Sequence, residues 1–391
     1  MKNKFSIIFL LLAFVTAISC FCGYKKVAVM AENKNLAFTS KSVYLTDFNS
    51  GTVILAKNET EKRPIASMCK IMTLLLSFEA IDNGIISKDE IITVSENAAG
   101  MGGSQVFLET GGQYSVNQLL KSITVASAND ACVAIAETIC GSEELFVEKM
   151  NERAKELQMD NTIFANCTGL PKPTQYSCAK DVAKMFSELI KHKEYFEYST
   201  VWMDKIEHPN NRYTEISNTN KLIRFYQGCD CGKTGYTSEA GHCLVASANR
   251  NGMRLISVVI SSPDSKTRFN EISSMFNYGF ANYTNKLIID DKKPLDIQVN
   301  VLGGKQENIQ VYAQRPIFLF SEKNEKRSVE VNFIPVEKIK APLSKGEVVG
   351  EIVVLENNNE IDRVKVVSAQ DVLEKTYFDY INDISKNWAL I

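Results

Sequence analysis

The hydrophobic period of this chain changes once, near Asn285, and the change limits the folds open to it. Beyond that point Ile297, Val299 and Val301 alternate, as do Ile309 and Val311, Ile317 and Leu319, and Val329, Val331 and Phe333. A period of two puts every second side chain on one face of a strand. Short runs of this kind between glycine and charged turns predict a small all-β domain over 286–368. Ahead of Asn285 the two periods mix. Val43 and Leu45, then Val53 and Leu55, flank the turn Asn49-Ser50-Gly51 and predict a hairpin over 41–57. Met68, Ile71, Met72, Leu75, Leu76 and Ala80 recur at helical spacing within 64–83. Helical stretches are predicted again over 116–141, 145–157, 181–191 and 268–283. Two strands, 242–249 and 254–261, meet through Asn251-Gly252, a hairpin-turn dipeptide. Strands flanking a helical block indicate an α/β or α+β domain before the all-β one.

Both ends have their own texture. Lys2 and Lys4 precede an apolar run from Phe5 to about Ser19, the layout of a secretory signal. Small residues at Val29-Met30-Ala31 favour cleavage there, making 1–31 the signal peptide. An uncleaved anchor, or a lipidated Cys20, would fit the same run. At the other end a helix is predicted over 369–391, with Leu373, Tyr377, Tyr380, Ile381, Ile384, Trp388 and Ile391 on one face. It reads equally as an interfacial membrane helix and as a helix packed on the β domain. Asp371, Glu374, Asp379 and Asp383 on its other face weaken attraction to anionic lipid.

Charge and histidine count exclude several functions. The 44 basic and 46 acidic side chains leave a net charge of −2, which argues against a nucleic-acid partner. His192, His208 and His242 form no HExxH pair, and no phosphate-binding glycine loop occurs. Ten cysteines in an exported chain would ordinarily point to disulfides. Most sit inside apolar patterns, and a chain this large needs no staples, so mostly free thiols are expected. Cys229-x-Cys231 has neither redox nor zinc spacing.

Ser67-Met68-Cys69-Lys70 opens the first predicted helix. A serine hydroxyl is a poor nucleophile until something takes its proton. A lysine three residues on shares its helix face, and serves if burial or a nearby cation keeps the amine neutral. Such a tetrad arises roughly once or twice by chance at this length, and Ser177-Cys178-Ala179-Lys180 is a second. Ser127-Ala128-Asn129 is bounded by apolar residues, so its polar groups need buried partners. Ser95-Glu96-Asn97 and Ser247-Ala248-Asn249 share the pattern. Lys233-Thr234-Gly235 occurs once, where about 0.1 is expected by chance. Its Lys and Thr suit a carboxylate, and its Gly lets a substrate backbone approach a strand edge.

In the order SxxK, SxN, KTG, the motifs begin 60 and then 106 positions apart. They form the signature set of penicillin-binding proteins and class A β-lactamases. The chain resembles the low-molecular-weight penicillin-binding proteins that are serine-type D-alanyl-D-alanine carboxypeptidases, peptidase family S11. Ala66 to Thr73 looks like the family's nucleophile helix, with Cys69 where threonine is usual. Ser127-Ala128-Asn129-Asp130-Ala131, Phe146, Met150-Asn151 and Gly169-Leu170-Pro171 also match. So do Lys233 to Thr237, Ala240-Gly241 and Leu244-Val245-Ala246, and the likeness runs from about Phe38 to Tyr283.

The resemblance implies an α+β catalytic domain of the β-lactamase/transpeptidase type over 32–285, followed by the β domain and the tail helix. It implies an exported enzyme that removes the last D-alanine from peptidoglycan stem peptides at the outer face of the cytoplasmic membrane, and that β-lactams acylate. Ser67 would be the nucleophile, Lys70 its base and Ser127 a proton relay. Asn129, Lys233, Thr234, Gly235 and Tyr236 would bind substrate, with the N–H groups of Ser67 and Tyr236 as oxyanion hole. Cys69 would be a packing residue. Arg268 would be a further carboxylate partner or a surface ion pair. Asn218-Thr219-Asn220 lacks the basic residue that relatives often carry between the asparagines. No metal or organic cofactor is implied. A class A β-lactamase would need an ExxLN segment, and here only Glu143-Glu144-Leu145-Phe146 is present. The same motifs would also serve a D,D-endopeptidase or a catalytically silent penicillin-binding module. Endopeptidase relatives often lack the β domain.

Overall fold

The structure, a computed structural model, describes residues 36–388. The predicted signal peptide, 1–31, lies outside the described residues, as do Ala389 to Ile391 of the predicted tail. The first hairpin forms as strands Ser42–Asp47 and Val53–Lys57. It flanks one side of a five-stranded antiparallel sheet, which continues through Met253–Ser262 and Gly241–Arg250 to Cys229–Thr237. Asn251 and Gly252 take φ of 52° and 80°, the left-handed pair of a tight hairpin turn.

The middle strands are apolar on both faces because helices cover both. Leu244, Ala246 and Val259 share a core with Ile272, Met275 and Phe276 of helix Ser265–Asn282. Val245, Val258 and Ile260 join a larger core with Met68, Ile71 and Leu75, beside helices Lys70–Asp82 and Ala179–Leu189. Cys229–Thr237 ends the sheet, so one side of its backbone faces away from any strand.

The stretch predicted as one helical region over 116–141 is broken. Helix Val116–Lys121 runs into a π-helical turn, Ser122–Ala126, and Ser127 then takes a left-handed conformation at φ 63°. Helix Asn129–Cys140 begins afresh beyond Ala128. Two short hairpins have no signature in the sequence, Ile91–Thr93 with Gln113–Ser115 and Met203–Glu207 with Tyr213–Ser217. Their strands are too short and too polar to show a period.

Beyond the helix Ser265–Asn282, strand Tyr283–Ile289 pairs with Ile317–Glu322. A four-stranded sheet follows, ordered Val311–Ala313, Asn359–Ser368, Val348–Glu356, Glu330–Pro335. Val299, Val301, Ile309, Val311, Ile352, Val354, Val364 and Val366 form its core. The tail differs from expectation. Its helix spans Tyr377–Trp388, and the residues just before it are extended. Val372 is fully buried in the β core and bridges Leu343, which holds that segment out of a helix. The helix is tied down by its charged side, through Lys305–Asp379 and Lys375–Asp383 ion pairs of 3.2 and 2.9 Å. Tyr377, Phe378 and Ile384 are exposed. No described helix is long and apolar enough to cross a membrane. The described cysteines are unpaired, and all but Cys140 are buried.

Candidate active site

Ser67 lies in a short 3-10 turn, Ala66–Cys69, that leads into helix Lys70–Asp82. Ala66 just before it takes φ 47°, a strained value for a residue with a side chain. Two glycines make room for this backbone. A Cβ on Gly169 (φ 82°) would sit 2.1 Å from the Ala66 carbonyl oxygen. One on Gly235 would sit 2.7 Å from the Ile65 oxygen and 3.1 Å from the Ser67 nitrogen. Gly235 therefore brings the edge strand against the Ser67 turn, which no other residue type permits without displacement.

Lys70 Nζ is 3.1 Å from Ser67 Oγ and also donates to the Thr168 carbonyl. Lys233 Nζ donates to Ser127 Oγ at 2.7 Å and to the Thr234 carbonyl at 3.2 Å. Both lysines are withdrawn from water. Burial pushes the Lys70 amine below the usual lysine range, against the opposing pull of the Cys132, Cys69 and Cys167 thiols. Lys233 is pushed well below it, by burial and then by the charge of Lys70. Neither makes an ion pair among the described residues. A neutral Lys70 keeps two N–H groups, one for Thr168, and a lone pair for the Ser67 hydroxyl proton.

The left-handed turn at Ser127 sets its hydroxyl against Lys233, and the new helix starts with Asn129. Asn129 donates its side-chain amide to the Gly102 carbonyl at 2.7 Å, and its backbone N–H to the Ser104 carbonyl at 2.7 Å. Its amide retains a second N–H for a substrate backbone. The loop it grips is wrapped around Asp130, whose buried carboxylate accepts from the N–H groups of Val106, Leu108 and Ala131. Burial raises the Asp130 pKa while those N–H bonds hold it down.

A second loop supports Lys70 from below. Asn166 Oδ1 accepts from the Thr168 and Gly169 N–H groups, and Gln175 Oε1 accepts from those of Ala165 and Asn166. Cys69 is fully buried and donates its thiol to the Asn166 carbonyl at 3.2 Å, so it packs behind the site. Thr73 secures the Cys167 carbonyl at 2.6 Å, and Glu143 Oε1 accepts from the Cys167 N–H at 3.0 Å. Asp130 stands out in the sequence only as part of a motif. Thr168, Asn166 and Gln175 carry no local signal.

The decoy motifs have other roles. Ser177 is buried against Thr162 while Lys180 is exposed. Ser95 caps a helix turn, accepting from the Ala98 N–H, and Ser247 is a buried strand residue that accepts from Arg254. Asn218 and Asn220 act as backbone clamps, Asn218 on the Ser199 and Val201 carbonyls and Asn220 on the Leu222 N–H. Arg268 is no surface ion pair. It is buried behind the edge strand and donates to the Gly235 and Cys243 carbonyls at 3.1 and 3.2 Å. Thr234 is buried beside Lys233, whereas Tyr236 is 60% exposed. No described cluster of His, Cys, Asp or Glu could hold a metal ion.

A family profile described as D-alanyl-D-alanine carboxypeptidase, peptidase S11, matches residues 28–264. A second, described as the C-terminal domain of penicillin-binding protein 5, matches 283–374. The chain is 38% identical over 355 residues to D-alanyl-D-alanine carboxypeptidase DacF of Bacillus subtilis, covering 90% of this chain and 91% of that one. The solved structure of penicillin-binding protein 5 from Haemophilus influenzae superposes with a TM-score of 0.67 at 31% identity, covering 86% of this chain and 98% of the other. A D-alanyl-D-alanine endopeptidase of Escherichia coli is 31% identical, but over only 60% of this chain and 76% of its own length.

Proposed function

The chain belongs to the serine-type D-alanyl-D-alanine carboxypeptidases of peptidase family S11, and we propose that it removes the terminal D-alanine from peptidoglycan stem peptides through an acyl-enzyme on Ser67. One observation carries the assignment of roles. Ser67 with Lys70 at 3.1 Å, and Ser127 with Lys233 at 2.7 Å, converge beside a strand that Gly235 presses against the nucleophile.

Ser67 Oγ attacks the carbonyl between the two D-alanines while Lys70 takes its proton. The N–H groups of Ser67 and Tyr236 bind the oxyanion, where one donor is worth about 10²–10³ in rate. Lys233 and Thr234 hold the terminal carboxylate, and Asn129 holds the peptide backbone. The C–N bond breaks, Ser127 passes a proton to the leaving amine, and D-alanine departs. Water then attacks the ester, the stem peptide leaves with a new carboxylate, and Ser67 regains its proton. A β-lactam enters the same path and acylates Ser67.

The substrate is a wall polymer, so the enzyme acts outside the cytoplasmic membrane, which an N-terminal signal would achieve. The tail helix makes a peripheral membrane contact. Tyr377, Phe378, Ile381 and Ile384 are exposed while its charged side is tied to the β domain.

The deciding assay is release of free D-alanine from a diacyl-Lys-D-Ala-D-Ala tripeptide, with the wild type compared to Ser67→Ala. Release should vanish in the variant. A folded, penicillin-labelled wild type that releases none would point instead to a cross-link endopeptidase or a silent binding protein.

A further inference from the structure

The loop that Asn129 grips is also held by a chain of hydrogen bonds through His208. His208 lies in the turn between strands Met203–Glu207 and Tyr213–Ser217 and is 7% exposed. Its Nδ1 is 2.9 Å from the hydroxyl of Tyr114, a buried residue of strand Gln113–Ser115. Its Nε2 is 2.9 Å from Thr214 Oγ1. Both ends of the chain reach the loop. Thr214 Oγ1 donates to the Val106 carbonyl at 2.9 Å, and the Tyr114 hydroxyl accepts from the Glu109 N–H at 3.2 Å.

Proton counting sets the direction of this chain. A hydroxyl has one proton. Thr214 uses its own on Val106, so the N–H between Thr214 and His208 belongs to Nε2. Nδ1 is then a bare lone pair, and the Tyr114 proton fills it. All these groups are satisfied with His208 neutral. A protonated imidazole carries N–H on both nitrogens. Tyr114 would then face two donors, from Glu109 and Nδ1, and its own proton would lose its acceptor where no water reaches. Two charged groups act on the ring, Arg212 and Glu109, themselves an ion pair at 3.0 Å. Burial lowers the His208 pKa most, Arg212 lowers it further, and Glu109 opposes them. Asp130 acts on Tyr114.

We propose that His208 is a positioning residue for Asn129, a neutral Nε2–H imidazole that locks the loop 102–109 and releases it when protonated. The link runs through the Gly102 and Ser104 carbonyls, to which Asn129 donates at 2.7 Å. Its consequence for acylation rests on the substrate-binding role proposed for Asn129 above. The sign follows from linkage. The released loop binds the extra proton and the locked loop resists it, so opening grows as pH falls below about 6.5, by up to tenfold per pH unit.

Three measurements test this. Long-range ¹H–¹⁵N spectra of the imidazoles, with the His208 signals identified by their loss in His208→Phe, should show the Nε2–H tautomer at pH 7.5. The Nδ1–H tautomer, or an imidazolium, would overturn the lock. Amide exchange over 104–109, corrected for the chemical rate, should quicken about tenfold from pH 6.5 to 5.5 in the wild type and be flat in His208→Phe. Equal acceleration in that variant would assign the effect to Asp130 and sink the proposal. Tyr114→Phe should exchange faster at pH 7.5 and respond less to acid, because Nδ1 then takes a proton without displacing a donor. This variant and the wild-type tautomer still decide the matter if His208→Phe does not fold. Finally, penicillin acylation of Ser67 is compared between wild type and His208→Phe across the same range. Lys70 titrates in both, so the ratio of the two rates isolates His208, and it should fall toward one in acid. A constant ratio beside pH-dependent exchange would count against Asn129 as a substrate contact, whereas flat exchange in the wild type would count against the lock.

Discussion

Burial without an ion-pair partner among the described residues is what would suit Lys70 to the proposed role of base. An ordinary lysine is protonated near neutral pH and cannot accept a proton. Here desolvation penalises the ammonium form. The sign of the consequence is opposite to that of a paired lysine. A folded-state pKa below the unfolded value means that the unfolded chain binds more protons between the two, so stability rises with pH across that window. Below the folded pKa the full penalty of a buried charge is present. Lys70→Met should therefore lose acylation by penicillin by about 10²–10⁴, the usual worth of a general base. It should unfold at an equal or higher urea concentration than wild type. A clearly lower urea midpoint would make the lysine a structural strut. For the wild type, D-alanine release should fall on the acid side as Lys70 takes up its proton, with a rate against pH profile as the measurement.

Elements meet at Ser67 through glycine. The edge strand Cys229–Thr237 approaches so closely that a Cβ at Gly235 would lie 2.7 Å from the Ile65 backbone oxygen, just ahead of the turn that carries Ser67. Gly235→Ala must push the strand away or distort the turn, and overpacking of this kind costs about 1–3 kcal/mol. The expected outcome is a lower melting temperature with penicillin labelling reduced at least tenfold. Full labelling at wild-type rate would show that the strand has slack. The helix pair around Ser127 makes a related point. The sequence reads as continuous helix over 116–141 because the apolar period barely falters there. The structure inserts a π-turn and a left-handed serine. A π-turn with one extra residue is a recurrent feature of functional sites. Here it aims the Ser127 hydroxyl at Lys233 and lets Asn129 begin a helix.

The whole molecule joins two bodies by a small seam. Tyr283 stacks on Phe320 at 5.1 Å, Asn285 Nδ2 donates to Asp47 Oδ1 at 3.3 Å, and Lys323 Nζ donates to the Phe280 carbonyl at 2.7 Å. None of these touches Ser67, Lys70, Ser127 or Lys233. A chain ending at Asn282 should therefore keep tripeptide hydrolysis within a few-fold of wild type. It should also lose any sedimentation with phospholipid vesicles shown by the full mature chain. Collapse of soluble activity would give the β domain a folding role, and unchanged vesicle binding would locate the membrane contact elsewhere.

The sequence by itself determined the chemistry and the order of the parts. Ser67, Lys70, Ser127, Asn129 and Lys233-Thr234-Gly235 are legible because a motif is local and its residue types are tied to a reaction. The β domain is legible because a period of two is local as well. Tertiary structure alone decided which SxxK lysine is buried, Lys70 and not Lys180, since the four-residue pattern is the same in both. It also decided the supports of the site. Lys70 meets Thr168 across 98 positions, Cys69 meets Asn166 across 97, and Lys233 meets Ser127 across 106. No window of sequence spans such pairs. Of the two readings of Arg268, carboxylate partner or surface ion pair, burial removed the second for the same reason, because burial belongs to the packed chain and not to any residue. The tail helix starts at Tyr377, later than its periodicity predicts, because one valine is worth more in the β core than in a helix at the surface.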